Sequence, residues 1–405
     1  MWSVLQPGPA YRLSSPNPQP LDSREFRYML EALTDAKLNC RTTLAVHTNG
    51  EDFYEAELEA IRSAQVSICM ERYIIQRGEI ARRYVEALAE RARAGVKVNI
   101  MADAMGSSTT PQSFFEPICR AGGRFAWFHA LRFNTLLQFN NRSHRELLIL
   151  DGKTAFLGGA GIADHWYRSK KGKPRWRDTM VRVEGDAVCN LQATFAENWI
   201  EAAGEVLTGE EYFPIYEKQS DSLCMVVNST PSIGGATRAR VLMQLLVGSA
   251  RRSIHITTPY FLPDKGMSDE LKRAMRERGV AVKILVPGKK SDHFLTRASG
   301  LRKIGGLLKA GAQIFEYQPA MIHAKILTVD GLWSVVGSTN FDHRSFGIND
   351  EVNLAAFDTG FTARLEEDFA RDLRESRQIT LERWRHRSLL ERIPELAGWP
   401  LEWEE

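Results

Sequence analysis

Two stretches of this chain carry residue types and spacings suited to one kind of chemistry. The first is His323-Ala324-Lys325-Ile326-Leu327-Thr328-Val329-Asp330, followed by Gly337-Ser338-Thr339-Asn340. The run after Lys325 is strand-like, and strand alternation places His323 and Lys325 on one face. An imidazole can attack phosphorus or pass a proton, and an ammonium neutralises charge on non-bridging oxygens, so the pair suits a phosphodiester. Ser338 and Asn340 can add hydrogen bonds to the same oxygens. A histidine alone at the head of a strand is more often a satisfied structural residue. This one is not alone, because His144-Arg145-Glu146-Leu147-Leu148-Ile149-Leu150-Asp151, followed by Gly158-Gly159-Ala160-Gly161, repeats the pattern. The separation of His144 from His323 equals that of Asp151 from Asp330 and of Gly158 from Gly337. A duplicated fold can bring such equivalent positions together across a pseudo-twofold axis.

The elements that must position these residues are also written twice, as alternating helix-like and strand-like segments of an α/β fold. Ser63-Ala64 leads into Val66-Ser67-Ile68-Cys69-Met70, and Ser249-Ala250 leads into Ser253-Ile254-His255-Ile256. A charged helix, a glycine and a β-branched strand follow in each half, as Arg93-Ala94-Gly95-Val96 and as Arg278-Gly279-Val280. Ala121-Gly122 and Ala310-Gly311 close further helices. The reading divides the chain into an extended arm over 1–45, repeats over 46–210 and 222–375, and a helix and tail over 376–405. A polar linker around Lys218-Gln219-Ser220-Asp221 joins the repeats.

At 405 residues two lobes are expected, and 43% apolar residues suffice for their cores. The net charge of +3 is too small to indicate a nucleic-acid protein by itself, so anion attraction has to be local, as at Arg168, Lys170, Lys171, Lys173, Arg175 and Arg177. Those basic residues are equally readable as solvated loop charges. Five scattered cysteines without C-x-x-C spacing indicate neither a disulfide framework nor a zinc site. No stretch approaches the ~18 apolar residues of a membrane span, and no signal peptide is expected.

These residues resemble the phospholipase D superfamily, whose mark is His-x-Lys-x4-Asp followed by Gly-Ser-x-Asn, present twice. Asn340-Phe341-Asp342-His343-Arg344-Ser345-Phe346, Asn349-Asp350-Glu351-Val352-Asn353 and Thr258-Pro259-Tyr260-Phe261 resemble its bacterial cardiolipin synthase branch. The resemblance implies a tandem αβα sandwich, two lobes with mixed sheets around one shared active site, working without metal or cofactor. It implies that His144 forms a phosphohistidine, that His323 protonates the leaving alcohol, and that Lys325, Ser338 and Asn340 hold phosphate. Asp151 and Asp330 would support the histidine environment. Glu351 and its approximate mate Asp178 would partner the opposite histidines. Two positions depart from the pattern: Glu146 stands where the family has lysine, and Gly161 where it often has asparagine. Glu146 must turn away, pair with Arg72, Arg142 or Arg145, or mark a degraded site.

The implied reaction joins two phosphatidylglycerols into cardiolipin, with a phospholipid as partner and peripheral contact at the cytoplasmic side of the membrane. Apolar residues beside arginine over Phe128–Phe139 suit a lipid entrance and are equally readable as simple lid packing. The alternatives are phospholipid hydrolysis, a nuclease, or a lipid-binding homologue that has lost turnover.

Overall fold

The computed structural model describes residues 12–15, 19–130, 140–170, 172–216, 220, 222–231 and 237–387. Most of the expected linker, the entrance segment from 131 to 139 and the tail containing Pro394, Trp399, Pro400, Leu401 and Trp403 lie outside them.

The chain forms two mixed sheets of the same design. The first contains β1 (Thr42–Thr48), β2 (Ser67–Arg72), β3 (Lys97–Asp103), β4 (Arg124–Phe128), β5 (Leu147–Leu150), β6 (Thr154–Gly158) and β7 (Thr179–Gly185). The second contains β8 (Leu223–Ser229), β9 (Ser253–Thr257), β10 (Ala281–Pro287), β11 (Gln313–Tyr317), β12 (Ile326–Val329), β13 (Trp333–Gly337), β14 (Glu351–Phe357) and β15 (Ser376–Ile379). Their orders, β1-β7-β6-β5-β2-β3-β4 and β8-β14-β13-β12-β9-β10-β11, match strand for strand, and β15 adds an edge beside β11. The β2-β3-β4 and β9-β10-β11 ladders are parallel, while the remaining pairs are antiparallel. Parallel neighbours need a crossover, supplied by helices Glu79–Arg93 and Lys265–Arg278. The second ends at Gly279 with φ 68°, the left-handed conformation that glycine adopts without a Cβ penalty.

Strand alternation builds the three larger of the four apolar cores among the described residues. Leu148 and Leu150 of β5 pack outward with Ile68, Ile100, Leu58 and Leu88. Leu327 and Val329 of β12 pack outward with Ile256, Ile284, Leu246 and Leu271. The opposite faces meet between the lobes, where Leu147, Ile149, Val181 and Val183 share one core with Ile326, Val352, Leu354 and Ala356. Helices Ala187–Ala203 and Thr359–Arg374 contribute Leu191, Phe195, Phe361 and Leu365 to it. Burying apolar faces on one another in this way holds the two lobes in register.

The segment read as an extended arm is not extended throughout. Arg24–Thr34 is a helix capped by Ser23, whose hydroxyl accepts from the Phe26 N–H. Its Phe26 and Leu30, spaced one turn apart, are buried in the second lobe, where Trp333 donates to the Leu21 carbonyl at 2.9 Å. The chain then crosses to the first lobe as β1. The prolines that suggested an arm stop at Pro20, and beyond them an amphipathic period takes over. The C-terminal segment likewise starts as strand β15 before the helix Leu381–Arg385, because β11 offers it an open edge.

Asp151 and Asp330 also differ from expectation. Each follows the strand that the site histidine precedes, at the far end, in a hairpin turn with φ of 54° and 57°. The Asp330 carboxylate accepts backbone N–H bonds from Arg251, Arg252 and Ser253 at 2.7–2.8 Å. Asp151 does the same with Gln65, Val66 and Ser67 at 2.8–3.1 Å. These aspartates tie each hairpin to the start of the neighbouring strand and are remote from the imidazoles. Asp330→Ala is therefore expected to cost about 1.5–3 kcal/mol of stability, the range for charge-assisted hydrogen bonds. Urea denaturation measures this. Turnover per folded molecule should persist at low temperature, and its loss with unchanged stability would contradict the assignment.

Candidate active site

The histidines meet at the junction of the lobes through a symmetric piece of backbone. Ser143 bridges Asp350 in parallel, with the His144 N–H donating to the Asp350 carbonyl at 2.9 Å. Ile322 bridges Arg177 in the same sense, with the His323 N–H donating to the Arg177 carbonyl at 2.7 Å. In each case the next residue is a histidine on one lobe and a carboxylate on the other. Nδ1 of His144 lies 3.1 Å from both oxygens of Glu351, and Nδ1 of His323 lies 3.0 Å from Asp178 Oδ2. The pairs are crossed, since each lobe orients the other's imidazole. An Nδ1–H donated to the carboxylate leaves Nε2 with its lone pair, the tautomer that a nucleophile or base needs.

Both carboxylates are fully enclosed and further held. Asp178 accepts from Trp166 Nε1 at 3.0 Å and from the Thr179 N–H at 2.8 Å. Burial opposes its charge, but the hydrogen bond and charge of His323, with Lys325 nearby, keep it below its ordinary range. Burial likewise opposes ionisation of Glu351, and His144 and Ser338 more than offset it. Burial and the adjacent Lys325 push His323 below the usual histidine value, against the pull of Asp178. Glycine is required at 159, because a Cβ there would stand 2.8 Å from Asp178 Oδ1 and 2.9 Å from the His323 carbonyl oxygen.

The remaining expected site residues divide between cavity and support. A cavity of about 280 Å³ is lined by His144, Glu146, His323 and Asn340, together with Tyr73, Trp176 and Tyr260. Asn340 is buried and its Oδ1 has no hydrogen-bond partner, so it is available to a ligand. Ser338 is committed elsewhere. Its hydroxyl donates to Glu351 and accepts from the Val352 N–H, so it positions the carboxylate rather than facing the cavity. Lys325 stands behind His323, with Nζ 2.9 and 3.1 Å from the two ring nitrogens and 2.8 Å from the His323 carbonyl oxygen. Burial pulls its pKa down to about 8, while Asp178, Glu351 and Glu146 favour its charge.

Glu146 faces the cavity. Of the three arginines considered for it, Arg145 is turned to Glu197 and the Thr194 carbonyl, and Arg142 stands 3.5 Å from Asp103. Arg72 is the one nearby, 3.7 Å from Glu146 Oε2. Among the basic-cluster residues, Arg177 is a buried structural cation paired with Asp372 at 3.0 Å, and Arg175 and Arg168 face Glu51 and Glu79; Lys171 lies outside the described residues.

Sequence reasoning missed Trp166, which anchors Asp178, and Tyr73, whose ring meets that of His144 edge-on at 5.4 Å. The offset that superposes the histidines also superposes Trp166 on Ser345, another cavity residue, and that was the available signal for Trp166.

Residues 243–373 match the family described as "Cardiolipin synthase, PLD-like domain". The chain is 34% identical to cardiolipin synthase 1 of Bacillus anthracis over 88% of its own length and 71% of that protein's. It is also 34% identical to the major cardiolipin synthase of Bacillus subtilis (strain 168), over 92% and 78%. Among solved structures, the phosphatidylserine synthase of Haemophilus influenzae Rd KW20 superposes with a TM-score of 0.69 at 14% identity, covering 94% of this chain and 97% of that one, which shows a shared fold. With its strand order duplicated, its histidines crossed onto opposite carboxylates and its relatives aligned along most of their length, the chain belongs to the cardiolipin synthase family of phospholipase D-like enzymes.

Proposed function

We propose that this enzyme transfers a phosphatidyl group from one phosphatidylglycerol to a second, giving cardiolipin and glycerol. The observation that carries the reading is the pair of crossed histidine–carboxylate units opening on one cavity. His144 attacks phosphorus through Nε2, which has no hydrogen-bond partner among the described residues, whereas Lys325 is packed against the His323 ring. The P–O bond to the departing glycerol breaks as the His323 imidazolium gives it a proton. The hydroxyl of the second phosphatidylglycerol then returns a proton to His323 and attacks phosphorus, and the P–N bond to His144 breaks. Entry of the phosphodiester anion beside His323 favours its protonated form, offsetting the effect of burial.

Tyr73, Trp176 and Tyr260 give the cavity an aromatic wall that favours a lipid headgroup over bulk water, consistent with an alcohol as acceptor. No helix among the described residues is long and apolar enough to cross a membrane, and peripheral contact with the cytoplasmic face of the bilayer completes the proposal. Incubating the purified protein with phosphatidylglycerol vesicles tests it by product analysis. Cardiolipin and glycerol in equal amounts are expected. Phosphatidic acid without cardiolipin would make the protein a hydrolase, and binding without any product would make it a lipid-binding homologue.

A further inference from the structure

The two departures from the repeated pattern are neighbours in space. By the offset that carries His144 onto His323, Glu146 answers to Lys325 and Gly161 to Asn340. A Cβ at Gly161 would stand 2.6 Å from the Ile74 carbonyl oxygen and 3.4 Å from Glu146 Oε1, so the bare backbone there leaves room for the segment that packs on Glu146. Glu146 is 3% exposed, lines the cavity that both histidines share, and leaves Oε2 without a hydrogen-bond partner. A buried carboxylate oxygen with no donor is costly when ionised, whereas a protonated one carries a donor that a ligand can accept.

Burial favours the proton, and the nearest cation is already committed to another carboxylate. Arg72 is committed to Glu57 at 2.6 Å and to the Ala160 carbonyl at 3.2 Å, and Tyr84 donates to the same Glu57 oxygen. At 3.7 Å, Glu146 is the second carboxylate on one guanidinium. Tyr54 and Tyr73 also face it, Lys325 attracts its charge from the other lobe, and Asp178 repels it. Burial outweighs Arg72 and Lys325, and the carboxyl is pushed up to about 8.

We propose that Glu146 binds the substrate phosphate as a neutral carboxylic acid, its hydroxyl donating to a non-bridging oxygen across the cavity from Asn340, with the Lys325 charge held behind the His323 ring. The first half thus contributes a hydrogen-bond donor where the second contributes a cation. This inference rests on the phosphodiester reading of the site and explains how a carboxyl group stands beside a phosphate without repelling it.

Infrared difference spectroscopy of the whole protein, with inorganic phosphate as the probe, tests it alongside the variants Glu146→Gln and Glu146→Ala. The carbonyl stretch of a protonated carboxylic acid, absent from Glu146→Gln, should be present at pH 7, fade near pH 8 and shift when phosphate is added. Glu146→Ala should lower cardiolipin formation about 100-fold, the usual effect of removing one donor from a developing oxyanion, and Glu146→Gln should recover most of that loss through its amide N–H. Stability provides a further readout. The fold keeps this proton up to about pH 8, while an unfolded chain releases it near the ordinary value of 4.5. Its contribution is therefore full below that value and declines as pH rises toward 8, so Tm should fall over that interval more in wild type than in Glu146→Gln. Absence of the band at pH 7, no response to phosphate, or equal losses in the two variants would overturn the proposal. If wild type makes no cardiolipin but the band behaves as expected, the substrate reading fails and the role of Glu146 stands.

Discussion

His144→Ala is expected to lower cardiolipin formation by at least about ten-thousand-fold, because losing a nucleophile from a cooperating set removes nearly all of its chemical advantage. The same variant should retain no label after brief exposure to phosphatidylglycerol carrying radioactive phosphorus, whereas wild type should hold an acid-labile, base-stable adduct. His323→Ala should fall comparably on the natural substrate for another reason: glycerol leaves as a poor alkoxide unless it is protonated. A phosphodiester with a p-nitrophenol leaving group needs no such proton, so His323→Ala should recover much of its rate of p-nitrophenol release on it and His144→Ala should not. The contrast tests the assignment built on the crossed pairs. Rescue of His144→Ala alone would exchange the two roles, and rescue of neither would remove the double displacement.

Asp178→Asn and Glu351→Gln should each cost on the order of a thousand- to ten-thousand-fold, with the fold intact. An amide in place of either carboxylate can donate to Nδ1, which forces the proton to Nε2 and closes the lone pair facing the cavity. It also withdraws the negative charge that stabilises an imidazolium in a site with little access to water. Since each carboxylate belongs to the lobe opposite its histidine, Asp178→Asn should share the p-nitrophenyl rescue of His323→Ala. Glu351→Gln should resemble His144→Ala and form little adduct. The double variant Asp178→Asn with His323→Ala should be no slower than His323→Ala, because residues acting as one unit are not additive. Additive losses would mean that Asp178 acts on something other than this ring, for example through Trp166, to which it is also bonded.

The chemistry of the site and the duplication were legible in the chain because both are written locally. His323 and Lys325 share a face through strand alternation, and equal spacing of the histidines, turn aspartates and glycines makes the second copy recognisable. The family resemblance named Asp178 and Glu351 as partners of the opposite histidines, and the parallel bridges at Ser143 and Ile322 give that pairing its physical basis. Motif membership misled at Asp151 and Asp330. A conserved-looking spacing cannot distinguish the end of a strand near the cavity from the end that ties a hairpin down, and only sheet register does so. Ser338 was read toward phosphate, yet a carboxylate that approaches from a neighbouring strand takes its hydroxyl.

What the sequence determined by itself is a doubled α/β unit carrying two histidines suited to phosphoryl chemistry, since periodicity and spacing depend on neighbours along the chain. What only the tertiary structure decided is everything set by neighbours across it. That includes the helix Arg24–Thr34 docked on the second lobe, the commitment of Arg72 to Glu57, and the environment that keeps a proton on Glu146. The reason is physical: burial and charge pairing depend on distances that the fold creates between residues remote in sequence, and they determine whether a carboxyl group in a phosphate site is an obstacle or a donor.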